Sequence, residues 1–238
     1  MRSDLIAAGM VRSWLQVHAP HMLNGWNFEM TEEISGFVGR IKSILDDIDA
    51  QFVTQAALPR TALAYWNLED VAVLGGGTPS PLAPEPDQVR YYTDINPVVV
   101  DEVAQLGYET RTVDIRNPDD LNTLSGARAA LAIGLFHFLD EDAGRQALQN
   151  LYDTGFEQVV FNNMNRNVSH DLVENWAKLG YVLHRREPDE VQALMPAGWQ
   201  MDEAIKVSDF LKHNPDLGQR LSETATSDLH YVYLLSRV

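Results

Sequence analysis

The chain contains no cysteine. That absence excludes disulfides, thiol catalysis and cysteine-ligated zinc or iron–sulfur clusters, and it suits a reducing, cytoplasmic setting. Positive charge is scarce too: 18 Lys and Arg stand against 34 Asp and Glu, a formal net charge of −16. A surface of that sign repels phosphate backbones and anionic lipid, so neither nucleic acid nor a membrane is an expected partner. A solvated acidic surface that aids solubility accounts for the same excess. No run approaches the roughly 20 apolar residues of a membrane span, and residues 1–9 lack the apolar stretch of a secretory signal. Asn167-Val-Ser169 is therefore a glycosylation sequon in pattern only. Internal repeats, low-complexity tracts and long linkers are lacking as well. What the chain does have is 238 residues with 45% hydrophobic content. A chain of that size buries roughly 70% of its unfolded surface and needs no covalent or metal staple.

The first 66 residues read as a helical N-terminal cap, and residues 67–238 as the ligand-binding domain. Ile34, Phe37, Val38, Ile41, Leu45, Ile48 and Phe52 recur at three- and four-residue spacing after Thr31-Glu-Glu33, the pattern of one buried helical face with its cap. A second helix is expected from Leu5 to Val17. His18 and His21 have a spacing that resembles a metal site, but Pro20 breaks the helix that would align them and no carboxylate joins them, so no metal is expected. Trp14, Trp26, Tyr65 and Trp66 are candidates either for a pocket wall or for core.

From residue 70 strands and helices alternate. The most telling stretch is Val71-Ala-Val-Leu-Gly-Gly-Gly-Thr-Pro79, an apolar strand running into a glycine turn, followed by a second strand that ends in acid, Tyr91-Tyr-Thr-Asp-Ile-Asn-Pro97. Gly75, Gly76 and Gly77 let the backbone approach a ligand, and Asp94 at a strand tip can accept from two ribose hydroxyls. The same glycines also suit an ordinary strand-to-loop turn. A dinucleotide site would open from its glycines straight into a helix that cradles pyrophosphate. Here Pro79, Pro81, Pro84 and Pro86 occupy that position, which disfavours an NAD-linked oxidoreductase. Asn96 and Pro97 open a helix ended by Gly107, Asn117 and Pro118 open a short one, and Asp140 caps one reaching about Tyr152. Tyr108 to Asp114, Ala129 to Leu135 and Val159 to Phe161 read as strands. The pattern predicts a mainly parallel sheet with its ligand at the carboxyl ends of the strands.

These stretches together resemble a class I S-adenosylmethionine (SAM)-dependent methyltransferase. Leu74-Gly-Gly-Gly-Thr78 stands at the first motif, Thr93-Asp-Ile-Asn-Pro97 at the second, Val113-Asp-Ile115 at the third and Ala132-Ile-Gly-Leu-Phe-His-Phe-Leu139 at the fourth. The run from Leu179 to Trp199 resembles the segment before the last two strands of such enzymes. The chain departs from the family at Val73, where an acid is usual, and at Pro79, where a third glycine is usual.

The resemblance implies a Rossmann-like, mostly parallel seven-stranded sheet with an antiparallel C-terminal hairpin, made from a strand over residues 200–207 and another over 229–236. It implies SAM as cofactor and a small-molecule acceptor methylated at oxygen or nitrogen, and it is compatible with a homodimer. By the same resemblance Gly75, Gly76, Gly77, Thr78 and Leu135 would hold the cofactor. Asp94 with Ile95 and Asn96 would take its ribose and one adenine face, and Asp114 with Ile115 the adenine edge. His137, just after the fourth strand, is the candidate acceptor-facing base, with a structural histidine as the other reading. Asn162, Asn163 and Asn165 could orient an acceptor or form a turn. His184, Arg185 and Arg186 could hold an acceptor anion or pair with surface acids. A non-catalytic SAM- or nucleoside-binding or interaction protein of this fold stays open as the other class.

Overall fold

Val71–Val73 (β1), Tyr91–Asp94 (β2), Thr110–Thr112 (β3), Ala129–Ala132 (β4) and Gln158–Met164 (β5) run parallel, because each apolar strand is returned to the same edge by a crossover. β1, β2 and β4 are short and almost wholly buried, as a strand covered on both faces must be. Trp199–Lys206 (β6) and His230–Arg237 (β7) complete a sheet of order β3-β2-β1-β4-β5-β7-β6. β7 lies antiparallel between β5 and β6, so the C-terminal pair is antiparallel and only β7 opposes the rest.

The structure, a computed structural model, describes residues 57–77, 79, 82–168, 170, 173, 174, 177, 181–214 and 230–238. They belong to one compact unit, Val53–Val238. The helix over residues 57–65 (α1), expected as the end of the N-terminal cap, is part of that unit. The helix expected from Leu5 to Val17, most of that over 31–58, and His18, His21, Trp14 and Trp26 lie outside the described residues.

Helices cover both faces. On one, Glu141–Asp153 (α4) buries Ala147, Leu148 and Leu151 against Ala130, Ala132 and Phe161. Pro118–Leu121 (α3) and Pro188–Leu194 (α5) join the same core through Leu121, Val191 and Leu194. On the other, Pro97–Ala104 (α2) contributes Val99 and Val103, α1 contributes Ala57, Leu58 and Ala62, and Val207–Phe210 (α6) contributes Val207 and Phe210. Trp66 stacks on Phe210 with ring centroids 4.8 Å apart, which makes it core rather than pocket wall. Each buried Leu or Phe stabilises the fold by roughly 1.5–3 kcal/mol, so these two layers hold the sheet from both sides.

Three caps expected from the sequence form. Asn96 accepts from the Val98 amide, Asn117 from Asp119 and Asp140 from Ala143, each contributing about 1 kcal/mol. Three boundaries differ. β3 spans only Thr110–Thr112, and β4 stops at Ala132, where Gly134, with a φ of 80°, turns the chain. β5 runs on to Met164, so Asn162 and Asn163 are strand residues, 0% and 1% exposed, and not a surface turn. Their register partners Val232 and Tyr231 on β7 carry the ladder through the polar pair.

Candidate functional site

The chain leaves β1 for β2 and β3 on one side, then returns to β4 on the other. That reversal opens a crevice at the carboxyl ends of the strands, the usual ligand position in such sheets. Here it is a cleft with about 460 Å³ of free space, its open mouth included. Leu74 and Gly75 line it after β1, Ile95 after β2, Asp114 and Arg116 after β3, and Leu135 after β4.

Each glycine of the turn has its own reason to be glycine. Gly75 has a φ of 63°, and a Cβ there would stand 3.2 Å from the Leu135 methyl carbons on the opposite wall, so its absence keeps the cleft open. Gly76 donates its amide to the Thr93 carbonyl (3.0 Å) and accepts from the Tyr92 hydroxyl (2.7 Å), which clamps the turn onto β2. Gly77, with a φ of 59°, donates to Asp94 Oδ2 at 3.0 Å. Thr78 lies outside the described residues.

Asp94 stands beside the cleft, between two lining residues, Thr93 and Ile95. Its carboxylate accepts from the Gly77 amide and, through Oδ1, from the Asn96 amide at 2.8 Å. Burial raises its pKa, and the backbone amides of Asn96, Gly77 and Ile95 oppose that rise. Four lone-pair sites on a carboxylate leave acceptor capacity beyond these bonds. The Asn96 side chain is spent on the α2 cap. Ile95 lines the cleft and is 56% exposed.

Opposite, Asp114 is gripped by Arg116. Oδ1 accepts from the Arg116 amide and Nε, and Oδ2 from Nη2 at 2.7 Å. Those bonds hold the Asp114 carboxyl below the usual range. Ile115, 6% exposed, is fixed from behind by Asn150, whose Nδ2 donates to its carbonyl at 3.2 Å. The cleft thus pairs an apolar slot with two acids on neighbouring strands. Among the described residues no group of three or more His, Asp or Glu is placed to hold a metal.

His137 is not brought to this cleft. It sits in a 3-10 turn, Phe136–Phe138, 2% exposed, with its ring 4.3 Å from that of Phe138 and 6.5 Å from that of His230. Leu135 and Leu139 of the same segment take the cleft side, which leaves Phe136 and His137 to the interior. Burial, with the fields of His230 and Arg186, pushes the imidazole down to about 3, so it stays neutral. The expected acceptor-facing base is therefore corrected to a buried neutral imidazole.

The basic run also has a different role from either one expected. Arg186, 7% exposed, donates from Nη1 to the Phe136 carbonyl (3.1 Å) and from Nη2 to the Leu139 carbonyl (2.6 Å), and its amide reaches Met164. Arg185 donates to the Val168 carbonyl, and the His184 amide to the His137 carbonyl at 2.7 Å. The segment pins the turn after β4 to the end of β5. Of the residues expected at the cofactor, the structure brings Gly75, Ile95, Asp114, Ile115 and Leu135 into the cleft lining. Leu74, Thr93, Val113, Arg116 and Leu139 line the cleft too and were missed, although Arg116 was legible as a cation two residues beyond an acid in a loop.

No family model and no curated protein sequence matches the chain. Solved structures do. A DUF574 family protein from Streptomyces avermitilis is similar over 96% of this chain and 97% of its own, with a TM-score of 0.64 and 12% identity. Magnesium protoporphyrin IX methyltransferase from Synechocystis, with bound S-adenosylhomocysteine, matches 86% of this chain and 95% of its own at a TM-score of 0.57 and 11% identity. The N-methyltransferase NodS from Bradyrhizobium japonicum, again with S-adenosylhomocysteine, covers 81% of this chain and 90% of its own at 0.51 and 15% identity. The likeness is one of fold: this chain has the seven-stranded Rossmann-like architecture of SAM-dependent methyltransferases.

Proposed function

We propose that the cleft binds S-adenosylmethionine and that the protein transfers the methyl group to an oxygen or nitrogen of a small-molecule acceptor. The observation that carries this is the apolar slot at the strand reversal, flanked by Asp94 at the end of β2 and Asp114 after β3. Such a donor set suits a nucleoside: acids for ribose and adenine edges, aliphatic walls for a flat base, and a glycine turn whose missing Cβ keeps the walls apart. The fold neighbours support it, since two of them hold S-adenosylhomocysteine.

When bound, S-adenosylmethionine supplies a methyl group already activated on a sulfonium, so the protein's task is placement and exclusion of water. Leu74, Ile95, Ile115 and Leu135 exclude water from the slot. Asp94 fixes the glycine turn through Gly77 and keeps lone pairs for ribose hydroxyls. Arg116 holds the Asp114 carboxylate ionised and oriented at the rim. His137, neutral and buried, is suited to hydrogen bonding and not to taking a proton.

A nicotinamide dinucleotide fits less well. Among the described residues between β1 and β2 the single helical feature is a 3-10 turn, Pro86–Gln88, so no helix N-terminus there meets a pyrophosphate. Calorimetric titration of the full chain with SAM, S-adenosylhomocysteine and NAD separates the readings. The expected result is binding of the first two and not the third, with Asp94→Ala weakening S-adenosylhomocysteine by roughly 2–4 kcal/mol, about 30- to 1,000-fold. Silence toward both sulfur nucleosides, or unchanged affinity in the variant, refutes it.

A further inference from the structure

At the β3 end of the cleft, the backbone around Asp114 is held by a closed set of hydrogen bonds. The Asp114 amide donates to Asp120 Oδ2 of α3 at 2.9 Å, Asp120 Oδ1 accepts from Asn117 Nδ2, and the Asn117 amide returns to the Asp114 carbonyl at 2.9 Å. The next residue is fixed from behind, since Asn150 of α4, which itself accepts from Gln146 at 2.7 Å, donates to the Ile115 carbonyl. This wall is therefore set before a ligand arrives. What remains to be placed is the Asp114 carboxylate, and Arg116 places it.

The guanidinium meets the carboxylate as a planar fork. Oδ1 accepts from the Arg116 amide and from Nε, both at 2.9 Å, and Oδ2 accepts from Nη2 at 2.7 Å. A carboxylate has roughly four lone-pair positions, so these bonds leave one open, on Oδ2. Two parallel bonds also fix the rotation of the group, which a point charge would not. Both residues line the cleft, and the Asp114 side chain is 27% exposed, so the open position is within a ligand's reach. We infer, resting on the cleft as the S-adenosylmethionine site, that Arg116 is a positioning residue that sets base selectivity: by fixing the Asp114 carboxylate it makes the cleft take a base edge bearing an amino group over one bearing an oxo group.

The difference lies in what a fixed carboxylate can and cannot do. An amino group on the purine donates to the open Oδ2 position. An oxo group in its place sets two acceptors against each other, and the Asp114 carboxyl, held below its usual range by the Arg116 bonds, has no proton to put between them. Arg116 does not relieve that clash, because Nε and Nη2 are on the carboxylate and the rigid guanidinium carries Nη1 on its other side. Hypoxanthine does have a donor, the ring N1–H, but it lies further along the base edge, and a carboxylate in a fork cannot turn to follow it. With Arg116 replaced by Gln the carboxylate is free to rotate. It then holds the amino group less firmly and swings to the N1–H, so discrimination falls from both ends.

The test is calorimetric titration of the full chain with S-adenosylhomocysteine and with S-inosylhomocysteine, its counterpart with hypoxanthine as the base. Wild type should bind the amino compound about 100-fold more tightly, and Arg116→Gln should cut that ratio to about tenfold or less. The ratio is the deciding quantity, because an Arg116 that served folding alone would weaken both compounds equally and leave it unchanged. A ratio that survives the substitution overturns the inference, as does a wild-type protein that binds both compounds alike. The Arg116 side chain is 53% exposed, so the variant should fold, and thermal unfolding checks that it does. Asp114→Asn, whose amide offers a donor beside its acceptor, serves as the second variant and should bring the two affinities to within about threefold. An unchanged ratio there overturns the inference independently. Wild type that binds neither compound refutes the S-adenosylmethionine reading and this selectivity with it, whereas equal binding of both leaves that reading in place and refutes the selectivity alone.

Discussion

Gly76 offers a measurable consequence of how the glycine turn is built. A Cβ at this position would fall 2.4 Å from Cε1 and 2.5 Å from Cζ of Tyr92, far inside van der Waals contact. Gly76 is absent from the positive-φ residues, so alanine meets no backbone strain and the collision alone decides the outcome. Tyr92 cannot yield cheaply: it is 4% exposed, packs against Tyr108 with centroids 4.9 Å apart, and is anchored by its hydroxyl on the Gly76 carbonyl. Overpacking of this kind costs about 1–3 kcal/mol and loss of the hydroxyl bond about 1 more, so Gly76→Ala should destabilise by roughly 2–4 kcal/mol. For a domain of this size the melting temperature should fall by roughly 4–16 °C. Thermal unfolding of a double-mutant cycle is the assay. In a Tyr92→Leu background, where the ring is gone, adding Gly76→Ala should cost less than about 0.5 kcal/mol. A Gly76→Ala protein as stable as its parent, or one equally damaged in both backgrounds, refutes the packing argument and returns Gly76 to a ligand-approach role.

Ile95→Ala should weaken S-adenosylhomocysteine by roughly 1 kcal/mol in calorimetry while stability changes by less than about 0.5 kcal/mol, because the side chain is 56% exposed before binding. Arg186→Lys replaces a fork on two carbonyls by a single donor. It should cost about 1–3 kcal/mol in denaturant unfolding and speed hydrogen exchange at Phe138 and Leu139, whose turn it pins. Acid should destabilise the protein through its buried imidazoles. His137 and His230 are pushed down from 6.5 to about 3 and about 4 on folding, so the unfolded chain takes up protons first. Their contribution is whole above 6.5 and is lost as pH falls from there toward the folded values, by about 1.4 kcal/mol per pH unit for each ring. A His137→Phe, His230→Phe protein should show a shallower decline, and an unchanged slope between wild type and variant would contradict the burial of these rings.

Local chemistry was the legible part of the chain. Asn96, Asn117 and Asp140 mark their helix starts because a cap acts within three residues, and the apolar runs at β1, β4 and β5 mark strands because both sheet faces are covered. Ile95, Asp114 and Leu135 reached the cleft because strand ends in a parallel sheet converge whatever their distance in sequence. What escaped depends on partners far away. Gly76 is glycine because of Tyr92 on the next strand, and Arg186 serves carbonyls about fifty residues before it. Asn162 and Asn163 resemble a turn by composition, yet β7 pairs with them and carries them inside. His137 was expected directly after the fourth strand, but β4 ends at Ala132 and the direction of its ring follows from the 3-10 turn after Gly134, which no short-range pattern encodes.

The position of β7 bears on how the molecule comes into being on the ribosome. Among the described residues it is the seventh strand along the chain but the sixth in the sheet, wedged between β5 and β6 and antiparallel to both. While residues 230–237 are still unsynthesised, β5 is a bare edge and β6 has no neighbour to pair with. A nascent chain therefore carries an exposed ladder on β5, a template for pairing with a second nascent chain, until the closing strand emerges. Pairing β7 satisfies two edges in one event, so the final step of assembly should be cooperative and late. The buried Asn162 and His230 come together in that step, since β5 carries the one and β7 the other.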